Sequence, residues 1–198
     1  MTIKDIYEFH TWFTNTFQPL EKRFNTMYQA LLLAVARNVK TIVETGTSRT
    51  PGNWVGDGQS TQVFAAFAER YDCKLWTCDI DPEAIDVARS VTSQYAARVE
   101  YVVSDSVAFL RDFRQPIDLL YLDSMDFLGV DHNVPQDHAV CEAQVALPAM
   151  HIQSIVLIDD CNLAFGGKGG KVIPFLLGHG WQVIGMGYQV LMTHKSAM

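Results

Sequence analysis

The run Ile155-Val156-Leu157-Ile158 ends in the pair Asp159-Asp160, and the earlier run Ile117-Asp118-Leu119-Leu120-Tyr121-Leu122 ends in Asp123. A short apolar segment that stops at a carboxylate reads as a buried strand whose carboxyl end reaches a polar edge. Runs of the same kind recur at Thr41-Ile42-Val43, Leu75-Trp76-Thr77-Cys78 and Val99-Glu100-Tyr101-Val102-Val103, with helix-like stretches between them. That alternation predicts an α/β fold in which a parallel sheet is covered on both faces, and right-handed crossovers then gather the functional loops at the carboxyl edge. After Asp160 the pattern changes to a glycine-rich stretch and a helix over residues 171–177. Two last strands follow, Trp181-Gln182-Val183-Ile184 and Tyr188-Gln189-Val190-Leu191-Met192. Only Gly185-Met186-Gly187 separates them, so they read as an antiparallel hairpin. Ahead of the first strand, residues 6–17 and 20–38 read as two helices broken at Pro19.

The chain has 198 residues, 48% apolar and 19% charged, which fits one globular domain over residues 1–198 with a full core. A net charge of -7 and a pI near 5.2 argue against a nucleic-acid partner, which requires clustered Lys and Arg. A small-molecule substrate is expected instead. The longest aliphatic stretch, residues 30–36, is stopped by Arg37, well short of the roughly 20 residues of a membrane-spanning helix. The first ten residues lack the basic start and apolar centre of a secretory signal, so a cytoplasmic protein without a membrane partner is expected. Cys73, Cys78, Cys141 and Cys161 have no zinc-type spacing and read as reduced thiols.

Asp123, Asp159 and Asp160 at neighbouring strand ends would repel one another and raise each other's pKa unless a divalent cation or a hydrogen-bond donor neutralised them. A hard ion such as magnesium suits such a site. The plainer reading gives Asp159 to a loop cap and Asp160 to solvent.

Five parallel strands followed by a terminal antiparallel hairpin is the element order of the class I S-adenosylmethionine (SAM) dependent methyltransferases, and the chain resembles that superfamily over residues 38–194. The resemblance is carried by Val43-Glu44-Thr45-Gly46-Thr47-Ser48, Cys78-Asp79-Ile80-Asp81-Pro82, Tyr121-Leu122-Asp123 and Leu157-Ile158-Asp159-Asp160. Within it the chain is similar to small bacterial methyltransferases with a Gly-Asp-Gly-Gln-Ser-Thr segment, here residues 56–61, and to cation-dependent O-methyltransferases. The resemblance implies a Rossmann-like, mostly parallel seven-stranded sheet with helices on both faces. It also implies SAM as cofactor and magnesium-assisted methylation of a small-molecule hydroxyl.

By the same resemblance Glu44 contacts the methionine end of SAM, and Gly46, Ser48 and Ser60 lie along it. The family's Glu-x-Gly-x-Gly-x-Gly pattern is partial here, because Ser48 replaces the second glycine and residues 49–57 are inserted before Gly58. Arg49 either pairs with the cofactor carboxylate or lies exposed. Asp79, at the end of the second strand, is the expected ribose ligand, whereas Asp81 before Pro82 reads as a helix cap. Asp105 either meets the adenine end or caps a helix. Asp123 borders the cofactor and, with Asp159 and Asp160, matches the metal-binding positions.

Catechol-type enzymes carry a lysine base three residues after the first metal acid, where this chain has Asp126. His132 and His138 are the other candidates for proton transfer, His138 first, because the helix expected to begin at Asp137 should aim it at the carboxyl edge. Gly166-Gly167-Lys168-Gly169-Gly170-Lys171 lacks the P-loop sequence and reads as a mobile loop able to close over substrate. Trp12, Phe13, Phe17, Phe24, Met27 and Tyr28 in the N-terminal helices (residues 1–38) read as core or a homodimer contact ahead of a lid or acceptor pocket. A nicotinamide-dependent oxidoreductase would also use Gly46 and Asp79, although the hairpin fits it poorly, and a SAM-binding or partner-binding module without turnover is the third alternative.

Overall fold

The computed structural model describes residues 1–127 and 129–197. Strands β1 (Thr41–Thr45), β2 (Lys74–Asp79), β3 (Val99–Val103), β4 (Ile117–Leu122) and β5 (Met150–Ile158) are parallel, and β6 (Trp181–Met186) and β7 (Val190–His194) form the antiparallel hairpin. The seven strands lie in the order β3-β2-β1-β4-β5-β7-β6, with β7 antiparallel to β5.

Alternation along each strand divides the core between the two faces. Ile42, Leu119, Tyr121, Ile155, Leu157 and Leu191 face one layer, which contains α1 (Ile3–Thr16), α2 (Phe24–Ala36) and α3 (Ser60–Tyr71). Val43, Leu120, Leu122, Val156, Ile158 and Met192 face the other, which contains α5 (Ser106–Asp112), α6 (Asn133–Ala146) and α7 (Gly169–Gly178). The remaining helix, α4 (Pro82–Val91), follows β2 and is capped by Asp81, whose side chain accepts from the Glu83 amide at 2.9 Å.

The N-terminal aromatic residues are core. Phe9, Phe13, Phe17 and Met27 are buried, and Phe13 meets Phe17, Phe24 and Tyr28 at centroid separations of 5.2–5.4 Å. At Pro19 the chain breaks into a short 3-10 stretch, Gln18–Arg23, that delivers Arg23 to the carboxyl edge of the sheet.

Several element boundaries differ from the sequence expectation by a few residues, β7 for example lying at Val190–His194, and two of the shifts have a local cause. β5 starts at Met150, before its apolar run, because Ser154 turns its hydroxyl onto the Ile117 carbonyl at 2.6 Å and carries the irregular first half of the strand alongside β4. α6 starts at Asn133 rather than Asp137, with Pro135 in its first turn, where the missing amide costs nothing.

The strand order reverses between β1 and β4, and ligands of such sheets bind beyond the carboxyl ends at that switch point. There Gly46 follows β1 with φ of 79°, and a Cβ on it would stand 2.7 Å from the Asp123 carbonyl carbon and 2.9 Å from Ser124 Cα. Glycine is required on both counts. Gly46→Ala is expected to destabilise the fold by about 2 kcal/mol or more, read as a lowered urea midpoint with an unchanged slope.

Candidate active site at the carboxyl edge of the sheet

Two cavities adjoin at the switch point. The larger, of roughly 470 Å³, is lined by Lys22, Arg23, Thr47, Arg49, Asp123, Asp126, Asp160 and Tyr188, among others. The smaller, of about 90 Å³, is lined by Cys78, Ile80, Asp105, Ser106, Met125 and His138. Gly46, Asp79 and Ser124 line both.

Asp79 holds its place at this junction by accepting from the Thr47 amide at 3.1 Å and the Asp81 amide at 2.9 Å. Asp105 caps α5 by accepting from the Ala108 amide at 2.8 Å while its residue lines the smaller cavity, so capping and lining coexist.

Glu44 is fully buried behind the first loop. Its Oε2 accepts from Thr61 at 2.8 Å and Thr77 at 2.6 Å. Because the Thr61 proton is used on Glu44, the Thr61 oxygen accepts from the Ser48 amide at 2.9 Å and from the Thr47 hydroxyl at 3.0 Å. Ser60, buried beside Glu44, starts α3 next to Gln59, whose amide group ties Thr50 and Asp57 together at 2.9 and 2.6 Å. The other Glu44 oxygen and the Ser48 hydroxyl are buried without a partner among the described residues. Burial pushes the Glu44 carboxyl up to about 7, with the hydroxyl groups of Ser60, Thr77 and Thr61 opposing it.

Asp123, Asp159 and Asp160 come together, each offering an oxygen within 4.8 Å of the others. Their neutralisation comes from side chains. Asp159, at 0% exposure, accepts both contacts of the Arg23 Nε, at 2.9 and 3.2 Å. The same guanidinium donates to the carbonyls of Val55 at 3.1 Å and Gly56 at 3.3 Å and lies 4.7 Å over the Tyr188 ring. Lys168 Nζ bridges Asp123 Oδ1 and Asp160 Oδ2, the latter at 3.3 Å, and the Tyr188 hydroxyl donates to Asp160 Oδ1. Burial works to raise Asp160, but Lys168, Tyr188 and Arg23 outweigh it and hold the carboxyl below its ordinary value. The sequence suggested the acids but not Arg23, Lys168 or Tyr188. The available signal was electrostatic: three gathered carboxylates demand counter-charges from elsewhere in the chain.

The proton-transfer candidates are spread out. Asp126 is 66% exposed and bound by both Arg49 nitrogens, at 2.8 and 2.9 Å, which lowers its pKa and commits Arg49 to a protein partner. His132 precedes α6 and stacks on Phe165, at 4.2 Å between centroids. His138 lies inside α6 and lines the smaller cavity, where it meets the Ser106 hydroxyl at 2.9 Å; Glu142, 3.6 Å away, raises its pKa. It does not line the larger cavity beside the three aspartates.

The glycine-rich stretch, expected as a mobile loop, is tethered. Gln136 donates to the carbonyls of Phe165 at 3.0 Å and Gly167 at 2.9 Å, and Gly167, at φ of 55°, packs directly on the Asp160 carbonyl.

The Glu44 environment makes a pH prediction. Its folded-state pKa lies above the ordinary 4.5, so its contribution to stability is complete below pH 4.5 and is lost as pH rises through about 7. Measured against Glu44→Gln, the wild type is expected to lose up to about 3 kcal/mol of relative stability between pH 4.5 and 8 in parallel denaturation series. A pH-independent difference would mean that the carboxyl is not held in this way.

Residues 55–161, more than half of the chain, match the family described as a methyltransferase domain. No curated protein sequence matches the chain. Among solved structures it is similar to the SAH-bound methyltransferase PaMTH1 of Podospora anserina, with a TM-score of 0.62 and 16% identity, covering 96% of this chain and 87% of that one. It is also similar to the Bacillus cereus O-methyltransferase in complex with SAH, with a TM-score of 0.61 and 14% identity over 93% and 96% of the two chains. For the ribosomal protein L11 methylase of Lactobacillus delbrueckii subsp. bulgaricus the TM-score is 0.53 and the identity 14%, over 86% and 79%. At such identities the likeness is one of fold. The chain belongs to the methyltransferase domain family and has the class I SAM-dependent methyltransferase fold.

Proposed function

We propose that the chain is a SAM-dependent methyltransferase acting on a hydroxyl group of a small-molecule acceptor. The observation that carries this reading is the pair of adjoining cavities that share Gly46, Asp79 and Ser124, with a carboxylate at their junction. An elongated cofactor with a base at one end, a ribose in the middle and an amino acid at the other suits that layout. Asp79 would take the ribose hydroxyls, Asp105 and Ser106 the adenine end, and Gly46, Thr47 and Ser48 the methionine end. The unpartnered Ser48 hydroxyl and Glu44 oxygen speak for a polar ligand close to this loop. When bound, SAM supplies an electrophilic methyl group on a sulfonium. In this reading His138 belongs to the adenine end, so it is not the base.

The part of the larger cavity not taken by the methionine end at Gly46 and Thr47 is left for the acceptor; the whole cavity measures roughly 470 Å³. Its walls combine Lys22, Arg23 and Arg49 with Asp123, Asp126 and Asp160, which suits a polar, hydroxylated acceptor. Oxygen as the accepting atom is favoured by the resemblance to O-methyltransferases and by the similarity to the Bacillus cereus enzyme. The net charge of -7 weighs against an RNA acceptor. The work left to these residues is to align the acceptor, which can supply several kcal/mol, and to exclude water. A divalent ion, which the resemblance also implies, does not fit the donor set as it stands, because both oxygens of Asp159, both of Asp160 and one of Asp123 face side-chain cations. No part of the proposed reaction is therefore assigned to a metal.

Calorimetric titration with S-adenosylhomocysteine is expected to give micromolar binding to the wild type and at least about tenfold weaker binding to Asp79→Ala, with thermal melts confirming that the variant folds. Absence of binding to the folded wild type would overturn the reading.

A further inference from the structure

The distribution of charge around Asp123, Asp159 and Asp160 is that of a cation site already filled by the chain itself. Lys168 has a side-chain exposure of 4% and Arg23 of 3%, so neither is a surface cation that has drifted inward. Two cations are set against three carboxyl groups. A divalent ion entering this arrangement must either displace the Lys168 ammonium or sit beside it, with like charges a few ångströms apart in a buried site.

The delivery of Lys168 is also built. The Lys168 amide donates to the Asp160 carbonyl at 3.3 Å, and the preceding Gly167 packs against the same carbonyl in a conformation only glycine adopts readily. Gln136 of α6 holds the Gly167 carbonyl from the other side. Asp160 itself has φ of 51°, which turns its side chain towards Lys168 and Tyr188 instead of continuing the strand.

We propose that the Lys168 ammonium is the resident cation of this carboxylate cluster, a positioning residue that takes the place of a divalent ion, and that removing it converts Asp123 and Asp160 into a divalent-cation site. This deepens the methyltransferase reading, on whose acceptor end it bears. The measurement itself needs neither cofactor nor acceptor, so the two can fail separately.

The test is cation binding to the full chain. Magnesium is titrated by calorimetry and thermal shift, and terbium by luminescence sensitised through Tyr188, whose hydroxyl touches Asp160. Wild type is expected to show no saturable magnesium binding at millimolar concentration, no melting shift and no response to chelator. Lys168→Met is expected to bind magnesium at least about tenfold more tightly than wild type and to gain a magnesium-dependent rise in melting temperature, while Lys168→Arg stays like wild type. A lysine that merely filled space would leave metal affinity unchanged on replacement. Saturable magnesium binding by the wild type, with a melting temperature that falls in chelator, would overturn the proposal, and so would a folded Lys168→Met that binds no better than wild type. If Lys168→Met does not fold, Lys168→Gln and the wild-type titration carry the decision.

Discussion

Arg23 and Asp159 form a buried ion pair on which the proposed acceptor side of the site depends. Each group alone would be an uncompensated charge in the interior, and breaking such a pair from one side typically costs about 3 to 5 kcal/mol. Arg23 comes from the break between α1 and α2, Asp159 from the end of β5, and the Arg23 guanidinium also holds the carbonyls of Val55 and Gly56 in the loop after β1. Three segments that are remote in sequence are thus fixed to one another by a single side chain. The N-terminal helices, which on packing grounds are simply a covering layer, thereby become part of the site.

The same sheet edge buries carboxylates in two chemically different ways. Glu44 receives only hydroxyl donors, Thr61 and Thr77 among them, and its pKa climbs to about 7. Asp159 and Asp160 receive a guanidinium, an ammonium and a phenol. Neutral donors satisfy geometry without balancing charge, whereas the cations balance charge and also constrain where the backbone can go. The proposed cofactor end is therefore satisfied by neutral donors and the proposed acceptor end is charge-compensated, a contrast produced at the ends of β1 and β5, which have β4 between them.

The sheet was legible in the sequence because its central strands are buried on both faces and read as apolar runs; Ile117–Leu122 has the bounds its pattern suggests, and so does the edge strand Val99–Val103, though it is less buried. The polar first half of β5 carried no such pattern. The acids were legible because they terminate those runs. Their partners were not, since Arg23 lies 136 residues from Asp159 and Lys168 lies 45 residues from Asp123. Arg23 sat among aromatic helix residues, and Lys168 sat in a glycine run that local rules read as a loop. Spacing from Asp123 drew attention to Asp126, and the expected aim of its helix drew attention to His138. Folding gave the first to Arg49 on the rim and the second to Ser106 in the smaller cavity.

The hairpin has an implication for the order in which this architecture can assemble. β7 follows β6 in the chain yet lies between β5 and β6, so β6 has no place in the sheet until β7 has paired with β5. Tyr188, whose carbonyl accepts from Cys161 and whose hydroxyl donates to Asp160, sits just before β7, and Gln189, hydrogen-bonded to Thr26 and Tyr121, is next to it. During synthesis, the first five strands can meet while the end of β5 still exposes a bare edge and unshielded acids. Docking of the hairpin is therefore also the step that brings the Tyr188 hydroxyl onto Asp160 and completes the hydrogen bonding of the carboxylate cluster.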